Sequence, residues 1–132
     1  MKKTLITTEK LDNGLEFQFF EHGNRYFGDY HQVKVTVCCL INIDDSLISD
    51  RLSQEDINEA RKLFGETVEY TRVLKSMGVS GGDVEKVRAD LIANFINSTL
   101  PYLQVDDFAS KYVFRRLTDH RTRGRMYLGR HD

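Results

Sequence analysis

Apolar and polar residues alternate through the first third of the chain, and after residue 53 apolar positions recur at spacings of three and four. The first pattern has the period of a strand and the second that of a helix, because side chains alternate across a strand but return to one face every 3.6 residues of a helix. The segment TLITTEKL is threonine-rich and β-branched, and Asp12-Asn13-Gly14 after it is a strong hairpin signal. A type I′ turn there requires positive φ at Asn13 and Gly14. The next strand places Leu15, Phe17 and Phe19 on one face and Glu16, Gln18 and Phe20 on the other. A second turn is predicted at His22-Gly23-Asn24, leading into Arg25-Tyr26-Phe27, with Gly28-Asp29 breaking or bulging that strand. From Gln32 the alternation resumes: Val33, Val35, Val37, Cys39 and Ile41 share a face, opposite Lys34 and Thr36. Sequential hairpins of this kind predict an antiparallel meander of three to four strands over residues 4–43.

The helical pattern begins at Ser53, an N-cap with Glu55 and Asp56 in the first turn, where carboxylates suit the positive end of the helix dipole. The stripe Ile57, Ala60, Phe64, Val68, Thr71 and Leu74 predicts a helix of roughly six turns, with Gly78 as its left-handed C′ residue. Ser80-Gly81-Gly82-Asp83 then starts a second helix, striped by Val84, Val87, Leu91 and Phe95 and ended by Pro101 near Ser98 or Thr99. The short link between the two predicts an antiparallel helical hairpin. A third helix is predicted from Asp106 or Asp107 to about Thr118, with Phe108, Ala109, Tyr112 and Val113 inward. The fold class read from these elements is α+β, a meander packed by an α-helical hairpin and a third, C-terminal helix. Residues 1–118 are expected to form a single domain, and residues 119–132 an arginine-rich C-terminal tail.

Composition is consistent with this reading. A chain of 132 residues with 40% hydrophobic and 30% charged side chains can bury a core and is unlike a disordered segment. No apolar run approaches the roughly eighteen residues of a membrane span, and Leu5-Ile6 is followed at once by Thr7, Thr8 and Glu9, too short a stretch for a signal peptide. A cytoplasmic location without membrane contact is therefore expected. The adjacent Cys38 and Cys39 offer no disulfide framework, and as neighbours on a strand they point to opposite faces.

Charge changes the picture in one place. The chain has a net charge of −1, but residues 1–110 carry twelve basic and eighteen acidic side chains, whereas residues 111–132 carry seven basic and two acidic ones. Arg115, Arg116, Arg121, Arg123, Arg125 and Arg130 are thus candidate contacts to an anion or a partner, since guanidinium forks suit phosphates and carboxylates. Their first expected use is to rest on the chain's own acidic surface or on that of a second copy. The alternative is binding of nucleic acid or another phosphoanion.

Other chemistry is thinly represented. There is no CxxC, HExxH or DxDxDG spacing, so no metal and no cofactor is expected. Cys38 or Cys39 could act as a nucleophile only with His22 on a neighbouring strand as base, because His31 lies too far along the cysteines' own strand. The amides of Gly81 and Gly82 precede a helix, where an anion could sit, but the loop lacks the lysine of a nucleotide-binding loop. Six aromatic residues fall between Phe17 and Tyr30; alternation turns Phe20 away from Phe17 and Phe19, so that Phe20 with an outward Tyr26 or Phe27 would form an exposed aromatic patch suited to a protein partner. Base stacking on this strand is disfavoured, because residues 1–50 carry five basic and eight acidic side chains.

The function these features point to is that of a small, non-catalytic interaction or regulatory domain, self-associating through an apolar helix or sheet surface. Nucleic-acid or phosphoanion binding through the C-terminal arginines is the alternative, and an enzyme built on a Cys/His pair is the third reading.

Overall fold

A computed structural model describes residues 4–22 and 24–129, with side chains left out at 24–27 and 124–129. Its strands are β1 (Thr4–Lys10), β2 (Glu16–Glu21), β3 (Asn24–Phe27), β4 (Tyr30–Asn42) and β5 (Thr67–Ser80); its helices are α1 (Gln54–Phe64), α2 (Val84–Ser98), the single turn α3 (Leu100–Leu103) and α4 (Phe108–Gly129). The fold is α+β, with an antiparallel meander over β1 to β4, as the alternation predicts. The chain divides into two compact units, one formed by residues 1–40 and 69–105 and the other by residues 41–68 and 106–132.

In the first unit, the β1–β2 hairpin turns where Asp12-Asn13-Gly14 predicts, but with different geometry. Gly14 takes φ of 88°, while no non-glycine among the described residues has positive φ. The Gly14 amide donates to the Leu11 carbonyl at 3.0 Å and the Leu11 amide to the Leu15 carbonyl at 2.8 Å. This is a type I turn followed by a left-handed glycine, a three-residue loop that asks positive φ of one residue instead of two. Opposite Phe19 and Phe20 the partner residues are Thr7 and Leu5, so Ile6 sits in a bulge.

The second reversal lies later than His22-Gly23-Asn24 suggests. Glu21 stands opposite Val35, Asn24 opposite Gln32, and the His22 amide donates to the Lys34 carbonyl at 3.1 Å. One register therefore runs from β2 into β3 as far as Arg25 along the same edge of β4 and shifts before Phe27, and the chain turns at Gly28-Asp29, where Gly28 supplies φ of 54°. Gly23 itself lies outside the described residues. β5 also pairs with β4, and since β2 and β3 occupy one edge it takes the other.

The larger departure concerns the segment after Phe64. The capping box at Ser53 forms, with the Ser53 hydroxyl accepting from the Asp56 amide and the Asp56 carboxylate accepting from the Ser53 amide. The helix then stops at Phe64, because Gly65 takes φ of 91°, and residues 67–80 form a strand. The helical hairpin is thereby reduced to two helices separated by β5. Val68 and Leu74 fit a helical stripe, but they also lie on even positions with Tyr70. TVEYTRV is rich in β-branched residues, whose stiff side chains favour the pleated backbone. Gly78, with φ of 69°, kinks β5 instead of ending a helix.

Phe17, Phe19, Val33, Val35, Val37 and Cys39 are buried on one face of the first unit's sheet. α2 covers it: Phe95 meets Phe19 edge to face with centroids 5.7 Å apart, and Arg88 pairs with Glu21. Tyr70 of β5 meets Phe17 on the same side at 5.8 Å. α2 ends at Ser98, and Pro101 opens α3, where a missing amide costs nothing. The hairpin tip is tied to the end of α3 and the chain just beyond it, since the Asn13 side-chain amide donates to the carbonyls of Leu103 and Val105, both at 3.0 Å.

The second unit buries Ile41, Ile43, Leu47, Leu52, Ile57, Ala60, Val68, Val113 and Leu117. α4 begins within two residues of its predicted start and does not stop near Thr118. It runs 22 residues to Gly129, so most of the arginine-rich segment is helix.

Candidate functional site

The first unit's sheet has a second face, and it is built by the same alternation. Directly opposed residues of an antiparallel ladder share a face. Phe20 stands opposite Thr36 and Leu5, and Gln18 opposite Cys38; all lie away from Phe17, Phe19 and α2, and Leu40 follows two residues beyond Cys38. On β5, Tyr70 packs against Phe17, so the even positions are covered and Val73 and Met77 belong to the other face. Four large apolar side chains are exposed there: Leu5 at 48%, Leu40 at 63%, Val73 at 45% and Met77 at 59% of their full area. Between them the small residues Thr36 and Cys38 form a buried floor, with Phe20 half-buried above it. The His22 ring nitrogen and the Thr36 hydroxyl are hydrogen-bonded at its margin.

Phe20 therefore lies on this face, as alternation predicts. The side chains of Tyr26 and Phe27, the other members of the expected aromatic patch, lie outside the described residues. Leu40, Val73 and Met77 escape the sequence reading for separate reasons. Val73 and Met77 sit in a stretch read as helix, and Leu40 lies within an apolar run whose exposure depends on what the fold places over it.

The four described arginines of this segment do not share one set of contacts. Arg121 is held within the second unit, its guanidinium donating to Glu59 Oε1 at 2.7 Å, Glu59 Oε2 at 3.2 Å and Asp56 Oδ1 at 2.9 Å. The fork grips Glu59 through both oxygens, a geometry that lysine could not reproduce. Arg121 holds the Glu59 carboxyl below its usual range, and the Asp56 carboxyl is lowered first by the Ser53 amide and then by Arg121. Arg121 is itself raised by the two carboxylates. Arg116 lies over the Phe64 ring at 5.2 Å and the Tyr112 ring at 5.8 Å, and donates to the Tyr112 hydroxyl at 3.1 Å. Arg115 and Arg123 are exposed. Arg125 belongs to α4 with its side chain outside the described residues, and Arg130 lies outside them altogether.

The Cys/His pair is separated by the register. His22 donates from its backbone to Lys34, and Cys38 lies four residues farther along β4, about 13 Å at strand rise. Cys39 faces the covered side, where burial pushes its thiol up to about 11 and holds it protonated at neutral pH. The anion position before α2 is met from within: the Gly81 amide donates to the Asp29 carbonyl at 3.1 Å and to its carboxylate at 3.2 Å. A cleft of about 460 Å³ in the second unit is lined by Asn42, Ile43, Asp44, Arg61, Gly65 and Glu66. The Arg61 guanidinium there donates to the Ile43 carbonyl at 2.8 Å, and the Asp44 carboxylate caps the Ser46 amide at 2.9 Å, so both groups are committed to the local backbone. Among the described residues, no three His, Cys, Asp or Glu side chains gather as metal ligands, and no helix is long and apolar enough to cross a membrane.

No protein-family model, no curated protein and no solved structure matches this chain.

Proposed function

We propose that this protein is a non-catalytic interaction domain whose contact surface is the sheet face opposite α2. One observation carries the reading: Leu5, Leu40, Val73 and Met77 expose about half or more of their area on a single face, over a floor of small residues. Isolated exposed apolar residues are ordinary, but several on one sheet face amount to apolar surface that association would remove from water. Charged residues lie toward both ends of the same face by alternation, Lys34 and Lys75 at one end and Lys10, Glu16 and Glu69 at the other, which gives the apolar centre and charged flanks of a protein-contact patch. The alternative of anion binding by the C-terminal arginines has less support, since Arg121 is engaged by two carboxylates and Arg116 by aromatic rings.

A photo-crosslinking residue placed at Val73 tests this in cells expressing the chain, with the exposed Glu85 of α2 as control. The expected result is discrete polypeptide adducts from position 73 that position 85 does not give. Absence of protein adducts from position 73, or the same adducts from both positions, would refute the reading.

A further inference from the structure

The occupant of the open sheet face can be argued from its charges. We propose, building on the contact-surface reading above, that the occupant is a second copy of this chain, stacked face to face about a two-fold axis lying between the sheets and running across the strands.

The face is electrically polar along the strands. Gln18 stands opposite Cys38, so Glu16 belongs to the end of the face marked by Leu40. Tyr70 lies against Phe17, which puts Glu69 at that same end. Toward the other end lie Lys34, whose carbonyl accepts from the His22 amide, and Lys75 of β5, which runs on until the Gly81 amide meets Asp29 at the start of β4. Glu69 and Lys75 are both exposed, and six residues of strand separate them by about 20 Å. The Glu69 carboxylate accepts from the Thr71 hydroxyl at 2.8 Å, which fits two side chains on one face of β5. Between the charged ends lie Phe20, Thr36, Cys38 and Val73.

Two sheets stacked face to face lie about 10 Å apart, close enough for side chains from both to meet. A two-fold axis across the strands reverses their direction in the second copy and lays each strand over its own counterpart. Lys75 of each copy then stands over Glu69 of the other, twice by symmetry, and the aliphatic stem of Lys34 covers the exposed Leu40 of the partner copy. An axis along the strands would instead set lysines over lysines and glutamates over glutamates. Lys10 is the register partner of Glu16 and offsets it, which leaves the Lys75–Glu69 contact as the principal determinant of orientation.

Sedimentation equilibrium on the full chain tests the arrangement. The wild type is expected to form a species of twice the 15.3 kDa chain mass. Lys75→Glu alone and Glu69→Lys alone each juxtapose like charges at both symmetric contacts and should weaken self-association about tenfold or more. Both positions are exposed, and unchanged circular dichroism would show that the variants are folded. An equimolar mixture of the two single variants should form a heterodimer, and the chain carrying both substitutions should regain the homodimer. A wild type that stays monomeric at every concentration, single variants that associate like the wild type, or a mixture that fails to associate would each overturn the inference. A monomer that still gives discrete adducts with another polypeptide from position 73 would overturn only the second copy and leave the contact surface standing.

Discussion

Asn13 offers the sharpest test of how the first unit is held together. Its side-chain carbonyl accepts from the Leu15 amide at 3.2 Å, closing the hairpin turn, and its side-chain nitrogen donates to the carbonyls of Leu103 and Val105 at 3.0 Å. The first bond is a turn device that aspartate would preserve equally well. The other two require a donor. Asn13→Asp therefore separates the two roles: it keeps the acceptor for Leu15 and sets a carboxylate oxygen against two carbonyl oxygens. A neutral hydrogen bond contributes about 1 kcal/mol net. Loss of two donors, with repulsion added, should cost about 2 to 3 kcal/mol, and Asn13→Ala, which gives up all three bonds, about 3 kcal/mol. With a typical urea dependence of about 2 kcal/mol per molar, either change should lower the unfolding midpoint by about 1 to 1.5 M. Acidification should partly rescue Asn13→Asp, because the protonated carboxyl recovers one donor, whereas Asn13→Ala has nothing to recover. A midpoint for Asn13→Asp within about 0.2 M of the wild type, or no difference in acid response between the two variants, would refute the claim that this side chain ties the hairpin to the end of α3 and the chain beyond it.

The Arg121 cluster makes a prediction about acid. Asp56 and Glu59 have carboxyl groups lowered in the folded state, so their contribution is present above the unfolded values near 4 and is lost as pH falls through the lower folded values. Arg121→Ala should raise the Glu59 titration toward its ordinary range in a carboxyl NMR titration, while Asp56 keeps much of its shift from the Ser53 amide; equal responses at the two carboxyls would contradict these assignments. The stability change should stay within about 1 kcal/mol, because the cluster is partly exposed. Cys39, buried and with its thiol raised to about 11, should react with a thiol reagent at pH 8 only after unfolding, and prompt reaction in the folded chain, located at Cys39 by peptide mapping, would count against its burial.

Much of the fold was legible wherever a local rule and the tertiary outcome agree. Phe17 and Phe19 alternate with Phe20, and Val33 to Ile41 alternate likewise, because one face of each strand must be dry. Ser53 with Asp56 reads as a helix start from four residues alone. The candidate contact face was legible only in part: Phe20 could be assigned to it from alternation, but its other members needed neighbours that no local pattern names. For the arginines, the sequence shows a cluster, whereas the bonds that commit Arg121 to Asp56 and Glu59 span more than sixty residues.

By itself the chain determined its strand periods, the first hairpin turn at Gly14 and the helix cap at Ser53, all of which act within a few residues. Tertiary structure decided the identity of residues 67–80. Val68, Thr71 and Leu74 satisfy a helical spacing, while Val68, Tyr70 and Leu74 satisfy an extended one, and neither pattern excludes the other. β4 has β2 and β3 on one edge, and its other edge carries backbone amides and carbonyls that require partners. β5 supplies them, and the ladder it completes outweighs a helical preference that no local bond could enforce beyond Gly65.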